Sequence, residues 1–335
     1  MNEKVNQTLK SADTEDWLDL HVVRPFCYWW AVLFAKLDIH PNTVTIWSMI
    51  IGAGSAVFFG CGSWYYSFQE TGSIWPGLWM NIIAILLLCL ADIFDCTDGQ
   101  LARMTGKKSR LGRILDGVAG FVWFVPIYHA MVYRFYLHHD IEFGWLGIED
   151  TPENALIALG VAIVLGWWSG LAGLAGQQRL ADYYIQVHLF FLKGEKGSEL
   201  DNSQKQQELY DQMTADTPWV ERLFQKSYVG YTQKQEKRTP EFQRLLQALK
   251  EKYGSFDNIP QSFRDEFRQK SLPVIKWNGL LTFNFRSAWL FLFCLLDVPV
   301  LNFVWEIVAM GLLAWYVNYR HETFCRQLRE KIANS

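Results

Sequence analysis

The chain has 335 residues, half of them hydrophobic, with 16 Trp, 14 Tyr and 23 Phe and a formal net charge of −3. A soluble protein can reach that apolar fraction, so the distribution decides: the apolar residues fall in blocks of about 18 or more, enough to cross a ~30 Å hydrocarbon core. Those blocks exclude a soluble metal-dependent nuclease or kinase, and no nucleic-acid partner is expected.

The first 20 residues carry Glu3, Asp13, Glu15, Asp16 and Asp19 and no apolar run, unlike a cleaved signal peptide. "DWLDLHVVRPFCYWWAVLFAKLDIHPN" then alternates aromatic, aliphatic and charged positions. It predicts an amphipathic helix in the membrane interface, anchored by Trp17, Trp29 and Trp30 and ended by Pro41. Six spans follow, at roughly 43–62, 77–98, 112–136, 154–175, 278–296 and 300–318. The fold class is therefore an all-α integral membrane protein with a helical insertion between its fourth and fifth spans. Its segments are 1–40 (interfacial), 41–193 (four spans), 194–276 (polar insertion) and 277–335 (two spans and a basic tail).

Arg103, Lys107, Lys108, Arg110 and Arg113 lie between the second and third spans, whereas 63–76 has no Lys or Arg. By the positive-inside rule both termini and this basic turn face the cytoplasm, at the inner membrane if the cell is bacterial. The insertion opens with "KGEKGSELDNSQKQQELYDQ" and is punctuated by Pro218, Pro240, Pro260 and Pro273. It reads as two or three short, partly mobile helices, a solvated connector more than a docking surface. The six cysteines are scattered, with no CxxC, and read as small apolar packing residues.

Ionisable groups at membrane depth are costly and point to function. Asp95 and Asp98 lie three apart near the end of the second span, and Asp116 lies one turn into the third. Across antiparallel helices the three converge, and their repulsion calls for a cation; oxygen ligands suit Mg²⁺ or Mn²⁺ with positions left for substrate phosphates. Gly99 and Gly112 allow close approach, and Arg103 offers a forked donor to a phosphate. The set suggests phosphoryl-type transfer beside lipid.

"DCTDGQLAR", eight residues, then "GRILD" (Asp95 to Arg103, Gly112 to Asp116) resembles the signature of the CDP-alcohol phosphotransferase family, D-x2-D-G-x2-A-R, about eight residues, G-x3-D-x3-D. Seven of eight fixed positions match, and "IHPNTVT", from Ile39 to Thr45, resembles the opening of that family's first span. The resemblance covers the amphipathic helix and the spans, and leaves out 194–276. It implies a six-span enzyme, commonly a homodimer among membrane lipids. Such an enzyme moves a substituted phosphate from a CDP-linked donor to a lipid or polar alcohol acceptor and releases CMP. It also implies that Asp95, Asp98 and Asp116 hold a metal pair, and that Gly99, Ala102, Arg103 and Gly112, with Asn42 and Thr43, line the CDP site. Thr43 reads equally as a helix cap.

The eighth and last position holds Gly120 where the family has an aspartate that ligates metal and deprotonates the acceptor. Asp92, one turn deeper than Asp95, lies at a depth comparable with position 120, ~4.5 Å against ~6 Å. It is therefore the candidate substitute base; an outer hydrogen-bonding role or a subunit contact is the other reading. His40 and His129 are read as structural. Arg286 and Arg179 are candidate contacts to an anionic acceptor, with snorkelling as the alternative, and Glu306 and Asp297 are expected to be solvated near the outer boundary. The competing function is a catalytically impaired member serving as a binding or assembly subunit.

Overall fold

The computed structural model describes residues 11, 13–14, 19–107, 109–198, 200–214 and 217–334, and among these all regular structure is helical. A π-helical turn, Asp19–Val23, leads into α1, Arg24–Lys36. α2 is Pro41–Gly60, α3 Trp64–Thr71, α4 Trp75–Thr105 and α5 Arg110–Leu137. Each start is chemically marked. His40 Nδ1 accepts the Asn42 amide at 3.2 Å ahead of α2, and Ser109 Oγ accepts the Gly112 amide at 2.9 Å ahead of α5. Gly106, at φ 70°, stops α4 in the left-handed conformation open to glycine.

α1 packs along the last turns of α4. Trp30 and Phe34 meet the Phe94 ring at centroid distances of 5.5 and 5.8 Å, and Gln100 Nε2 donates to the Arg24 carbonyl at 3.3 Å. Trp30 is thus a packing residue, Trp29 stays exposed, and Trp17 lies outside the described residues. α2 packs lengthwise against both α4 and α5, which barely touch one another. This differs from the expected direct α4–α5 packing, and the reason is the narrow buried face of α2: Ser48, Gly52, Ser55 and Ala56 let two helices approach at once.

α6, Asp140–Leu146, and α7, Pro152–Ser169, precede a π-helical stretch, Gly170–Gln178, and α8, Arg179–Lys193. After the insertion come α13, Phe283–Leu295, and α14, Pro299–Ala333. Among the described residues five helices are long and apolar enough to cross a membrane: Pro41–Gly60, Trp75–Thr105, Leu115–Leu137, Pro152–Lys193 and Pro299–Ala333. The expected span at 278–296 is not one of them. Gly279–Leu281 forms a 3-10 turn, and α13 has 13 residues, about 20 Å of helix.

Two ion pairs lie buried in the part of the chain formed by residues up to Gln178 with Thr282–Gly311, one compact unit. Arg134 donates from Nε to Asp297 Oδ1 at 3.0 Å, from Nη1 to Asn81 Oδ1 at 2.9 Å, and from Nη2 to Asp297 and the Cys294 carbonyl. Asp297 Oδ2 accepts from Ser63 Oγ and the Tyr65 amide, both at 2.9 Å. In the second pair, Arg286 Nη1 lies 3.0 Å from Glu306 Oε2, which also accepts from Tyr128 Oη at 2.6 Å and from Ser169. Asp297 and Glu306 are 2% and 1% exposed, so the expectation that they are solvated is overturned. A charge removed from bulk water needs polar partners, and both carboxylates have one or more on each oxygen, Asn302 Nδ2 donating to Glu306 Oε1 at 3.2 Å.

The second compact unit comprises Arg179–Leu281 and Leu312–Ser335. Residues 194–276 contribute α9, Ser203–Asp211, α10, Trp219–Arg238, α11, Pro240–Tyr253, and most of α12, Gln261–Asn278. Phe242, Leu245 and Leu249 make one buried stripe, and Phe263 and Phe267 another. Phe267 stacks on Phe191 of α8 at 3.7 Å and meets Phe324 of α14 edge-on at 5.3 Å. The expected connector with two or three short helices is instead a packed helical body.

Candidate active site

The last turns of α4 present Asp92, Asp95, Asp98, Gly99, Ala102 and Arg103. Asp98 is 6% exposed and accepts a hydrogen bond from Thr45 Oγ1 of α2. Thr45 is itself buried and also within reach of the Pro41 carbonyl, at 3.2 Å. Asp95 is half-buried, and its Oδ1 is fully shielded from solvent with no hydrogen-bond partner among the described residues. Asp116, on α5, is exposed, and its charge reaches both Asp95 and Asp98. Three helices therefore converge here, with the three aspartates of the signature within electrostatic reach of one another.

Arg103 lies across Gly99: a Cβ on residue 99 would stand 3.4 Å from Nη1 and 3.6 Å from Nη2. Its charge acts on Asp98. At Gly112 the fit is tighter. A Cβ there would fall 2.7 Å from Asn42 Oδ1, closer than real side chains pack, and Ser109 Oγ donates to that same oxygen at 3.2 Å. Gly112 is thus the residue that lets α5 meet Asn42 of α2. Thr43 sits in the first turn of α2, its amide donating to the His40 carbonyl at 3.0 Å, while His40 supplies the cap. His129 is distant in chemistry as well as sequence, its ring bonded to the Val125 carbonyl at 2.7 Å and edge-on to Trp167.

Position 120 is open: a Cβ there would meet nothing within 4 Å. Asp92 is half-buried, and the charges that act on it come from Asp19 and Arg24, while its own charge acts on Asp95. Asp19 in turn accepts from Asn284 Nδ2 at 2.8 Å. Arg24 also acts on Asp95. Sequence reading passed over Arg24 as one charge in an interfacial helix; the signal was an Arg-Pro step just ahead of a nearly uncharged aromatic run. Thr45, placed at the mouth of the first span, proves to be the residue that touches an aspartate, whereas Asn42 turns to α5.

The candidate acceptor contacts each have partners within the chain. Arg286 is fully buried against Glu306 and donates from Nη2 to Gln177 Oε1 at 2.9 Å, so its charge is already compensated. It fits there because residue 173 is glycine; a Cβ would lie 2.3 Å from Nη1. Arg179 belongs to the other unit, its guanidinium 5.2 Å over the Tyr231 ring. Lys107 of the basic turn bonds Asp38 Oδ1 at 2.6 Å; that bond and the ammonium charge hold the Asp38 carboxyl below the usual carboxylate range. Lys108 and the side chains of Arg110 and Arg113 lie outside the described residues.

The donor set suits a hard divalent cation. It consists of carboxylate oxygens, one of them buried and unpartnered, with Asp98 oriented by Thr45 as outer-shell groups orient metal ligands. Residues 38–169 match the family model described as CDP-alcohol phosphatidyltransferase, a family that generally depends on divalent metal. No curated protein and no solved structure matches the chain. The match spans the region from Asp38 to Ser169, which carries the aspartates of α4 and α5, and makes that region similar to the CDP-alcohol phosphatidyltransferase family, as the signature implies.

Proposed function

We propose that the protein transfers a substituted phosphate from a CDP-linked donor, CDP-diacylglycerol or a CDP-alcohol, to the hydroxyl of a lipid or polar alcohol acceptor in phospholipid or related lipid synthesis. The observation that carries the reading is the buried, unpartnered Asp95 Oδ1 beside Asp98 and within the charge range of Asp116. Asp95, Asp98 and Asp116 would hold Mg²⁺ or Mn²⁺, two ions in the proposed site. A bound ion supplies positive charge to the diphosphate and to the oxygen that leaves with CMP. Arg103 pairs with a phosphate oxygen of the donor, and Gly99, Ala102, Gly112, Asn42 and Thr43 form the wall against which cytidine diphosphate rests. The site faces the cytoplasm, within reach of a dissolved CDP-alcohol or of the headgroup of CDP-diacylglycerol in the bilayer.

In the transfer, the acceptor oxygen forms a bond to the phosphorus bearing the transferred group. The P–O bond to CMP breaks, its electron pair leaving on the CMP oxygen. The hydroxyl proton passes to a carboxylate, and we assign that role to Asp92. Two observations support the assignment: Asp92 acts on Asp95 by charge, and position 120 has room around it. Asp92→Asn is expected to lower turnover by ~10²–10⁴-fold, the usual weight of a general base, with donor KM little changed. Wild-type turnover in that variant would remove Asp92 from the chemistry.

A second reading is favoured by the neighbours of Asp92. Asp19 and Arg24 act on it; an Asp92 held by Arg24 would be a support, and the chain a binding or assembly subunit. Labelled CDP-diacylglycerol and labelled CDP-alcohols, each incubated with purified protein, divalent metal and a panel of acceptors, separate the two. Metal-dependent CMP release from one donor supports the transferase. Release from none supports the subunit.

A further inference from the structure

Residues of a different chemistry meet in the second unit. On α14, His321 and Cys325 are one helical turn apart and share a face, and Glu322 reaches round to them. His321 Nδ1 lies 3.3 Å from Glu322 Oε1 and 3.8 Å from Cys325 Sγ, and the three ligand atoms fall within 4.8 Å of one another. The His321 and Cys325 residues are 2% and 0% exposed, and the Glu322 side chain 14%.

We propose that His321, Glu322 and Cys325 hold a divalent, thiolate-accepting cation of the zinc class, separate from the hard-cation site of the aspartates. One ring nitrogen faces both a carboxylate and a sulfur. A single N–H at Nδ1 serves only one of them, and an unprotonated Nδ1 leaves the carboxylate facing a lone pair. A cation at the centre satisfies all three. Zinc bonds of ~2.0–2.1 Å to nitrogen, ~2.0–2.2 Å to oxygen and ~2.3 Å to sulfur give tetrahedral edges of roughly 3.3–3.6 Å, close to the two spacings observed. Soft sulfur beside imidazole selects zinc-like metals over Mg²⁺.

The surroundings hold the three groups in place. Glu322 Oε2 accepts the Glu241 amide at 2.7 Å, which fixes the carboxylate in the manner of outer-shell partners. The His321 ring stacks on Tyr184 at 4.2 Å and meets Phe324 at 4.9 Å, so the wall is dry. His321 Nε2 is buried without a partner among the described residues, so the ring is oriented from its Nδ1 side. A bound ion would pin α14 to the start of α11 through Glu322.

The test uses full-length protein in detergent, stripped with chelator and titrated with Co²⁺. A thiolate-to-cobalt charge-transfer band saturating at about one equivalent and discharged by Zn²⁺ is expected. Glu322→Gln is expected to keep the band and weaken Co²⁺ binding by about tenfold or more. Cys325→Ser is expected to abolish the band while far-ultraviolet circular dichroism stays that of wild type; Asp98→Asn leaves it intact. No band in the wild type, a band surviving Cys325→Ser, or unchanged affinity in Glu322→Gln overturns the site. Activity is not the readout, so failure here and failure of the transferase reading remain distinguishable.

Discussion

The apolar body holds two kinds of carboxylate. Glu306 and Asp297 are each locked to an arginine and have polar donors on both oxygens. Asp95 has a shielded oxygen with no partner, and its neighbours Asp98 and Asp116 carry the same sign. The first kind has its charge matched within the chain and ties helices together. The second is incomplete without something positive, which is the mark of a binding site. Burial alone would have ranked Glu306 and Asp297 as the functional acids, and satisfaction reverses that order.

The comparison is broken most directly by neutralising one acid of each kind. Asp98→Asn is expected to lower metal-dependent CMP release by about 10³-fold or more, because positioning of phosphates and charge by several groups at once is lost. Its thermal unfolding should stay near wild type. Were Asp98→Asn to unfold the protein instead, the aspartates would belong with the structural pairs.

Arg134→Ala should behave in the opposite way. It leaves Asp297 buried without its charge partner, and breaking such a pair costs ~3–5 kcal/mol. The expected result is a large fall in melting temperature. An Asp297→Asn, Arg134→Met double variant should recover much of the loss, since removing both charges relieves the orphan. No recovery would mean that the hydrogen bonds to Asn81 and the backbone carbonyls, not the ion pair, carry the stability.

A smaller effect sharpens the comparison at the edge of the membrane body. Glu142, on α6, is buried with neither carboxylate oxygen bonded to another side chain among the described residues, and burial first, with the Asp297 charge adding to it, pushes its pKa up to about 7. A carboxyl raised from 4.5 to about 7 favours folding fully at low pH, and that contribution is lost as pH rises through about 7. The fall is on the order of 2–3 kcal/mol. Melting temperature should therefore decline between about pH 5 and 8 in the wild type and stay flatter in Glu142→Gln. Identical profiles would show that Glu142 is charged throughout.

The sequence made the aspartate group readable because its parts are local. Asp95, Asp98 and Asp116 sit at fixed spacings on two helices joined by a turn, and Gly106 and Ser109 mark where one helix stops and the next begins. The structural ion pairs were not readable in the same way. Arg134 and Asp297 are 163 residues apart, and each lies at the end of an apolar run, where a charge ordinarily marks the water boundary. Position along a span says nothing about which side of a helix is covered by protein. Helix pairing failed for a related reason: α4 and α5 are joined by a short turn, but the small-residue face of α2 takes the place between them. In the second unit the stripe Phe242, Leu245, Leu249 has helical spacing in the sequence. Surrounding Lys, Glu and Gln lowered the average hydrophobicity enough to hide it.

The central claim is that three like charges converge because a divalent cation completes them. Mn²⁺ binding to purified protein, followed by electron paramagnetic resonance with and without a CDP donor, tests it most directly. The account predicts saturable Mn²⁺ binding that tightens when a CDP donor is added and weakens at least about tenfold in Asp95→Asn, as loss of a ligand requires. Binding that is the same in wild type and Asp95→Asn, and indifferent to the donor, would contradict it.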